Sequence, residues 1–263
     1  MPSNRACIAL AACAVLAQAA TGIGQAQVSQ QREPAVTSKD ASARVPQAVA
    51  GLADTAEAAR RVVALTNDFR RTQNLQPTGP APQLASAARY FADFMARTGK
   101  FSHTADGSEP AARAKRFGYE YCTVAENIAY VFSSQGTDAT ELARRVVEGW
   151  QKSPGHRANM LDSNVTETAV AIAHSRRTDY YYAVQLFGRP KSQMVEFAVA
   201  NQTGTGVEYT LDGRTFQLPT RTTITHQVCK PPVVQFQGKT LQPTSGQQVM
   251  IVNDQNGMQV QVQ

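Results

Sequence analysis

The chain has 263 residues, of which 42% are hydrophobic and 17% charged, with a formal net charge of +6. That length allows one large or two small domains, and the composition is that of an ordinary folded protein. Lys and Arg are scattered, with only short pairs such as Arg60-Arg61 and Arg176-Arg177, which argues against nucleic-acid binding and for a solvated basic surface with weak attraction to anionic envelope polymers.

The N-terminus reads as an address. Arg5 supplies a short positive region, and Ala6 to Ala20 is an apolar run too short to span a bilayer. Ala17-Gln18-Ala19 and Gly24-Gln25-Ala26 both fit a small-x-small cleavage site, so residues 1–26 are expected to be a signal peptide. The expected destination is secreted or periplasmic. A competing reading is open: Leu10-Ala11-Ala12-Cys13 resembles a lipoprotein box, which would put a lipid anchor on Cys13. No segment of the mature chain reaches transmembrane length. Residues 27–54, rich in Gln, Ala, Ser and Pro, read as a flexible linker.

A first helix is expected from Ala56 to Asn74, with Val62, Leu65 and Phe69 on the inner face and Arg70 and Arg71 outside. A second begins near Gln83, buries Leu84, Ala87, Ala88, Phe91, Phe94 and Met95, and ends at Gly99. Phe101-Ser102-His103 follows. Pro110 suits the first turn of a short third helix through Lys115, which Gly118 stops. Asp138 with Glu141 opens a capping-box-like start for a helix ending at Trp150. Pro154 and Gly155 then predict a sharp turn that presents His156 beside the negative helix end, a place that favours the imidazolium and suits a pocket-lining role. Thr166 to His174 and Tyr180 to Phe187 read as two antiparallel strands joined by a polar turn. Helices first and strands late suggest an α+β layered domain over 55–190.

From Lys191 the pattern is short strand-like runs between Asn-Gln-Thr-Gly, Asp-Gly and Pro-Pro, with a strong hairpin signal at Leu211-Asp212-Gly213-Arg214. Residues 191–263 are expected to form a small all-β domain, a sandwich that binds, docks or supports. Cys7 and Cys13 fall in the signal region. Cys122 and Cys229 remain: in an exported protein they form one disulfide, or else they are two buried thiols.

Several motifs in order carry a resemblance. They are Leu65-Thr66-Asn67-Asp68-Phe69-Arg70, Leu84 with Ala87 and Ala88, Phe101-Ser102-His103, Ala125-Glu126-Asn127-Ile128, Val147 through Trp150-Gln151-Lys152-Ser153-Pro154-Gly155-His156-Arg157-Ala158-Asn159-Met160-Leu161, and Tyr181-Tyr182-Ala183-Val184-Gln185-Leu186-Phe187. This half of the chain resembles the CAP superfamily (cysteine-rich secretory, antigen 5 and pathogenesis-related proteins), in its bacterial SCP-like branch. The resemblance implies a CAP-type α-β-α sandwich with a broad cleft that usually carries two His and two Glu. His103 matches the first His, and Glu126 the Glu of the Glu-Asn motif. Ser153 stands where the second Glu is usual, and Tyr182 where the second His is usual. His156, from the Ser-Pro-Gly-His-Arg pattern, offers another imidazole.

His103, Glu126 and His156 would suit zinc or another divalent cation, leaving an open coordination position. The alternative is that His103 and Glu126 bond to each other and fix adjoining loops. Asn127, Arg157 and Asn159 read as structural, and His174 and His226 as ordinary strand or surface residues. Three functions follow: an exported, non-enzymatic binding protein whose cleft takes a lipid, glycan or protein ligand; a metal-dependent hydrolase, such as a protease, using His103, Glu126 and His156; or a structural envelope protein docked through its β domain. No Gly-x-Ser-x-Gly elbow is present. A monomer is the expectation.

Overall fold

A computed structural model describes residues 51–255 and 257–263. The expected signal peptide, Cys7, the Cys13 lipoprotein box and residues 27–50 of the expected linker lie outside the described residues. Helix α1 (Thr55–Thr72) starts at Asp54, whose carboxylate accepts from the N–H groups of Ala56 and Glu57 at 2.9 and 3.0 Å. Its inner face differs from the expectation in two places. Leu65 is 37% exposed, and Arg70 is buried. The Arg70 guanidinium donates to the carbonyls of Gln76, Met160, Asp162 and Val165, a set no apolar side chain could satisfy, and so pins α1 to the loops beyond it.

Strand β1 (Gly79–Pro80) was not expected; its two residues pair in parallel with Glu167 and Thr168. Helix α2 (Pro82–Thr98) carries Pro in its first turn and ends at Gly99, whose φ of 71° lets its N–H reach the Met95 carbonyl. Helix α3 (Pro110–Arg116) follows the His103 loop. Strand β2 (Tyr121–Phe132) takes in the Glu-Asn motif. Helix α4 (Ala139–Lys152) opens with Asp138 accepting from the Glu141 N–H at 2.8 Å. Where a sharp turn was expected, Pro154 begins a second short helix, α5 (Pro154–Met160). Proline suits that first position because its missing N–H has no partner there in any helix, and Gly155 needs no positive φ.

Strands β3 (Glu167–Ser175) and β4 (Tyr180–Pro190) complete a sheet of order β1-β3-β4-β2, with β4 antiparallel to both long neighbours. Side chains alternate across it. Tyr182, Val184 and Leu186 pack under α2 with Leu84, Phe91 and Met95. Tyr181, Ala183 and Phe187 pack on the other face with Val62, Val146 and Trp150 of α1 and α4. This is the expected α-β-α sandwich. Gly188 is the point of closest approach: a Cβ there would collide with the Tyr119 ring and hydroxyl, which donates to Glu167 at 2.7 Å.

The C-terminal region is all β: β5 (Val195–Asn201), β6 (Val207–Leu211), β7 (Arg214–Leu218), β8 (Thr223–Val228), β9 (Val234–Phe236), β10 (Lys239–Leu241), β11 (Gln248–Asp254) and β12 (Gly257–Val262). Two four-stranded sheets, β10-β9-β6-β7 and β12-β11-β5-β8, enclose a core that includes Phe197, Val199, Tyr209, Leu211, Val234 and Ile251. The β6–β7 turn has Asp212 and Gly213 both at positive φ, as the Asp-Gly signal demanded. Cys122 and Cys229 form a disulfide that ties β2 to the end of β8 across 107 residues of sequence. Among the described residues no helix is long and apolar enough to cross a membrane.

Candidate functional site

The site is built on the open edge of the sheet. Along β2, Glu126, Ile128 and Tyr130 alternate with Ala125, Asn127 and Ala129. Ile128 and Tyr130 meet the α2 core, and Ala125 and Ala129 the α1/α4 core. Glu126 therefore enters the layer formed by α3 and the His103 loop. There its carboxylate is held from both sides: His103 Nδ1 lies 2.8 Å from Oε1, and Arg113 Nη2 lies 2.7 Å from Oε2. Its side chain is 2% exposed, whereas that of His103 is 47% exposed.

Arg113 is the hub. Its guanidinium also donates to the Asp106 carboxylate at 3.0 Å, the Ser108 carbonyl at 2.5 Å and the His103 carbonyl at 2.8 Å. It stacks 3.5 Å from the centre of the Phe91 ring. Burial pushes the Asp106 carboxyl up, but the Ser108 N–H and hydroxyl together with Arg113 outweigh this and hold it below its usual range. The result is a buried chain, Asp106–Arg113–Glu126, that ends in a half-exposed imidazole. A carboxylate accepting from Arg113 on one oxygen takes the His103 Nδ1–H on the other. That fixes the tautomer and leaves Nε2 as the ring atom offered to a ligand.

Helix α5 lies along the outer edge of β2. Asn159 Nδ2 donates to the Glu126 carbonyl at 3.2 Å and to Asn127 Oδ1 at 2.9 Å, and Asn127 Nδ2 donates to the His156 carbonyl at 3.1 Å. Trp150 Nε1 donates to the Ile128 carbonyl at 3.1 Å. Carbonyls that an edge strand would leave open are thus covered by side chains. Asn127 and Asn159 tie α5 to β2, and Arg157 stacks on Phe69 of α1, 4.8 Å from the ring centre.

His156 is buried in α5, not displayed at a helix end. Burial first, and the neighbouring His103 second, lower its pKa to about 4. The imidazolium expected from the helix dipole is therefore not favoured: desolvation outweighs the dipole. Ser153 is the N-cap of α5; its carbonyl accepts from the Arg157 N–H at 2.8 Å. Tyr182 is buried beside Tyr130 on the α2 face, and burial raises its pKa.

A cluster of rings begins at Phe101, two residues before His103. Phe101 meets Tyr130 edge-on at 4.8 Å, Tyr130 meets Tyr180 edge-on at 5.3 Å, and Phe132, 49% exposed, lies 5.3 Å from Tyr180. Tyr130 and Phe132 share the β2 face of Glu126, and Phe101, Tyr130 and Tyr180 pack against the α2 core, so the four rings form an aromatic shelf.

The structure brings His103 and Glu126 into contact and sets His156 close by. Ser153 and Tyr182 serve the frame. Glu126 is poorly placed as a metal ligand: both its oxygens are engaged, and a buried guanidinium stands beside them. Among the described residues no three His, Cys, Asp or Glu side chains are grouped so as to hold a metal ion. Sequence reasoning missed Arg113 and Asp106. Arg113 is one of three basic residues in α3, with Lys115 and Arg116, and no spacing marks it as the buried one.

Residues 63–187 match the cysteine-rich secretory protein family, CAP. A curated relative is the uncharacterized protein YkwD of Bacillus subtilis (strain 168), 34% identical over 117 residues, which are 44% of this chain and 42% of that protein. The chain thus spans less than half the length of this relative. Among solved structures, an outer surface protein from Borrelia burgdorferi is 19% identical, with a TM-score of 0.47, over 54% of this chain and 98% of that one. An extracellular protein containing a SCP domain from Bacillus anthracis str. Ames is 24% identical, with a TM-score of 0.43, over 51% of this chain and 41% of that one.

Proposed function

The chain belongs to the CAP superfamily through residues 63–187, and from that premise we propose that it is an exported, non-enzymatic binding protein whose cleft receives a ligand beside His103. The observation that carries this reading is the Arg113–Glu126–His103 relay. Every polar atom of the buried carboxylate is committed to holding one half-exposed imidazole in one orientation. A group so fixed is suited to donating or accepting a defined hydrogen bond, and the Phe101–Tyr130–Tyr180–Phe132 shelf beside it adds apolar area. The same commitment weighs against metal-dependent hydrolysis, which would need the Glu126 carboxylate as ligand or base.

The Cys122–Cys229 disulfide supports a destination outside the cytoplasm, where such bonds persist. Lipids, glycans and envelope proteins are the ligand classes that suit a polar point flanked by rings. The test is a binding panel of lipid vesicles, envelope glycans and purified envelope proteins against wild type and His103→Ala. Saturable binding to one class, lost in His103→Ala at an unchanged melting temperature, supports the reading. Binding indifferent to His103, or cleavage of a panel member that a chelator abolishes, would overturn it.

A further inference from the structure

Strand pairing in the C-terminal region is uneven. β6 pairs with β7 along its whole length, from Val207↔Leu218 to Leu211↔Arg214. On its other side it pairs with β9 at only Thr210↔Gln235 and Leu211↔Val234. β9 runs one residue further, to Phe236, and then turns back through Gln237 and Gly238, at φ 46° and 79°, into β10. Among the described residues no strand lies beside the first half of β6 on that side. A cleft of about 310 Å³ fills the wedge, bordered by Glu208, Thr210, Gln235, Gln237 and Thr240 among others.

The chemistry of this cleft is narrow. Alternation along the strands turns Glu208 and Thr210 of β6 and Gln235 of β9 outward, while Tyr209 and Phe236 point into the core. In register, Thr240, Gln235, Thr210 and Thr215 form one row of neutral polar side chains across all four strands. These outward side chains brace one another across the strands. Gln217 donates to the Glu208 carboxylate at 2.6 Å, and the Thr210 hydroxyl donates to Gln235 Oε1 at 3.3 Å, leaving the Gln235 amide nitrogen as a donor. No Lys or Arg lines the cleft, and its one charge is the Glu208 carboxylate.

An anion would find repulsion there, and an apolar ligand would find its rings buried. Neighbouring hydroxyls on a neutral ring would donate to Glu208 and to the Thr210 oxygen, and accept from the Gln235 amide and the Thr240 hydroxyl. The volume is at the small end of ligand sites, which start at roughly 300 Å³, and suits roughly one or two sugar rings. We propose that this cleft is a binding site for a neutral saccharide, with Glu208, Thr210, Gln235 and Thr240 as its hydrogen-bonding groups. An extended peptide added to the free edge of β6 is the competing occupant. The open stretch, Val207 to Tyr209, is short against a usual strand of about five or six residues, which disfavours it.

The experiment is NMR titration of the purified protein with three probes: maltotriose, the disaccharide of N-acetylglucosamine, and an uncharged hexapeptide. The expected result is saturable binding of at least one saccharide, with shifts at Glu208, Gln235 and Thr240. The affinity should fall about tenfold or more in Glu208→Ala with Gln235→Ala, and should hold in His103→Ala. If that double variant does not fold, Glu208→Gln, which keeps the shape, serves in its place with the same expectation. No saccharide binding up to about 10 mM, binding indifferent to Glu208, loss of binding in His103→Ala, or binding of the peptide alone would each overturn the proposal.

Discussion

The two halves of the described chain treat buried polar groups in opposite ways. In the α-β-α sandwich, Arg113, Asp106 and Glu126 keep full charges with side chains no more than 2% exposed, each matched by the next. In the β region the buried titratable pair is neutral: the Tyr209 hydroxyl lies 2.6 Å from His226 Nε2, and burial pushes Tyr209 up to about 12 and His226 down. The difference follows from the connections. The loop between α2 and α3 has little regular structure, so its carbonyls at His103 and Ser108 need donors, and a buried guanidinium supplies several at once. The β hairpins close through residues at positive φ, such as Asp212-Gly213 and Gln237-Gly238, and the strands satisfy each other. Charge in the first half is therefore a device for holding irregular chain, and the exposed His103 is its product.

The largest expected effect comes from the covalent link between the halves. Replacing Cys122 and Cys229 by Ser frees a loop of 107 residues, and the chain-entropy account predicts a loss of roughly 4–5 kcal/mol. Denaturant unfolding of wild type with and without reductant measures it. A loss below about 1 kcal/mol would mean that the disulfide adds little constraint to the unfolded chain.

Next is Arg113→Met, which takes the guanidinium from two buried carboxylates, Asp106 and Glu126. A loss of about 3–5 kcal/mol is expected, together with disordering of the His103 loop in hydrogen exchange. Exchange protection at Ser108 and His103 equal to that of wild type would show that the loop does not depend on the guanidinium.

A pH profile then reads the buried imidazole in each half. His156 in the folded chain titrates near 4 against its usual 6.5, so the unfolded chain binds the proton first as pH falls. Its contribution is complete above pH 6.5 and is lost between 6.5 and 4, with a slope of up to about 1.4 kcal/mol per pH unit. His226 acts in the same direction from the β region. In His156→Gln the profile over that window should be flatter, and an unchanged slope would assign the dependence elsewhere. The smallest effect is Tyr209→Phe, which removes the partner of buried His226 and should cost about 1–2 kcal/mol without altering ligand capture at His103.

Much of the architecture was legible in local chemistry. Gly99 past the end of α2, Asp138 with Glu141 at the start of α4, and Asp212-Gly213 between β6 and β7 each act within a few residues, and each does what its residue type predicts. His103 and Glu126 were legible as a pair because their motifs are distinctive. Arg70 was placed outside because a charge on a helix reads as solvated, and only carbonyls as far away as Val165 explain why it is inside. His156 was given a dipole and a turn, but the helix it begins and the α4–α5 packing that buries it are not visible in Pro154-Gly155.

The sequence by itself determined helices α1 to α4, the hairpin of β3 and β4, the layered class and the β region, because period, caps and turns are short-range properties; β1, the long strand β2 between the helices, and α5 it did not show. It also marked His103 and Glu126. Only the tertiary structure decided how they act. Arg113 lies 13 residues from Glu126 in sequence and Asp106 lies seven from Arg113, on different elements, and their burial together depends on where α3 lands against β2. The wedge between β6 and β9 has the same origin: strand pairing is a long-range choice, and no run of residues announces where two strands part.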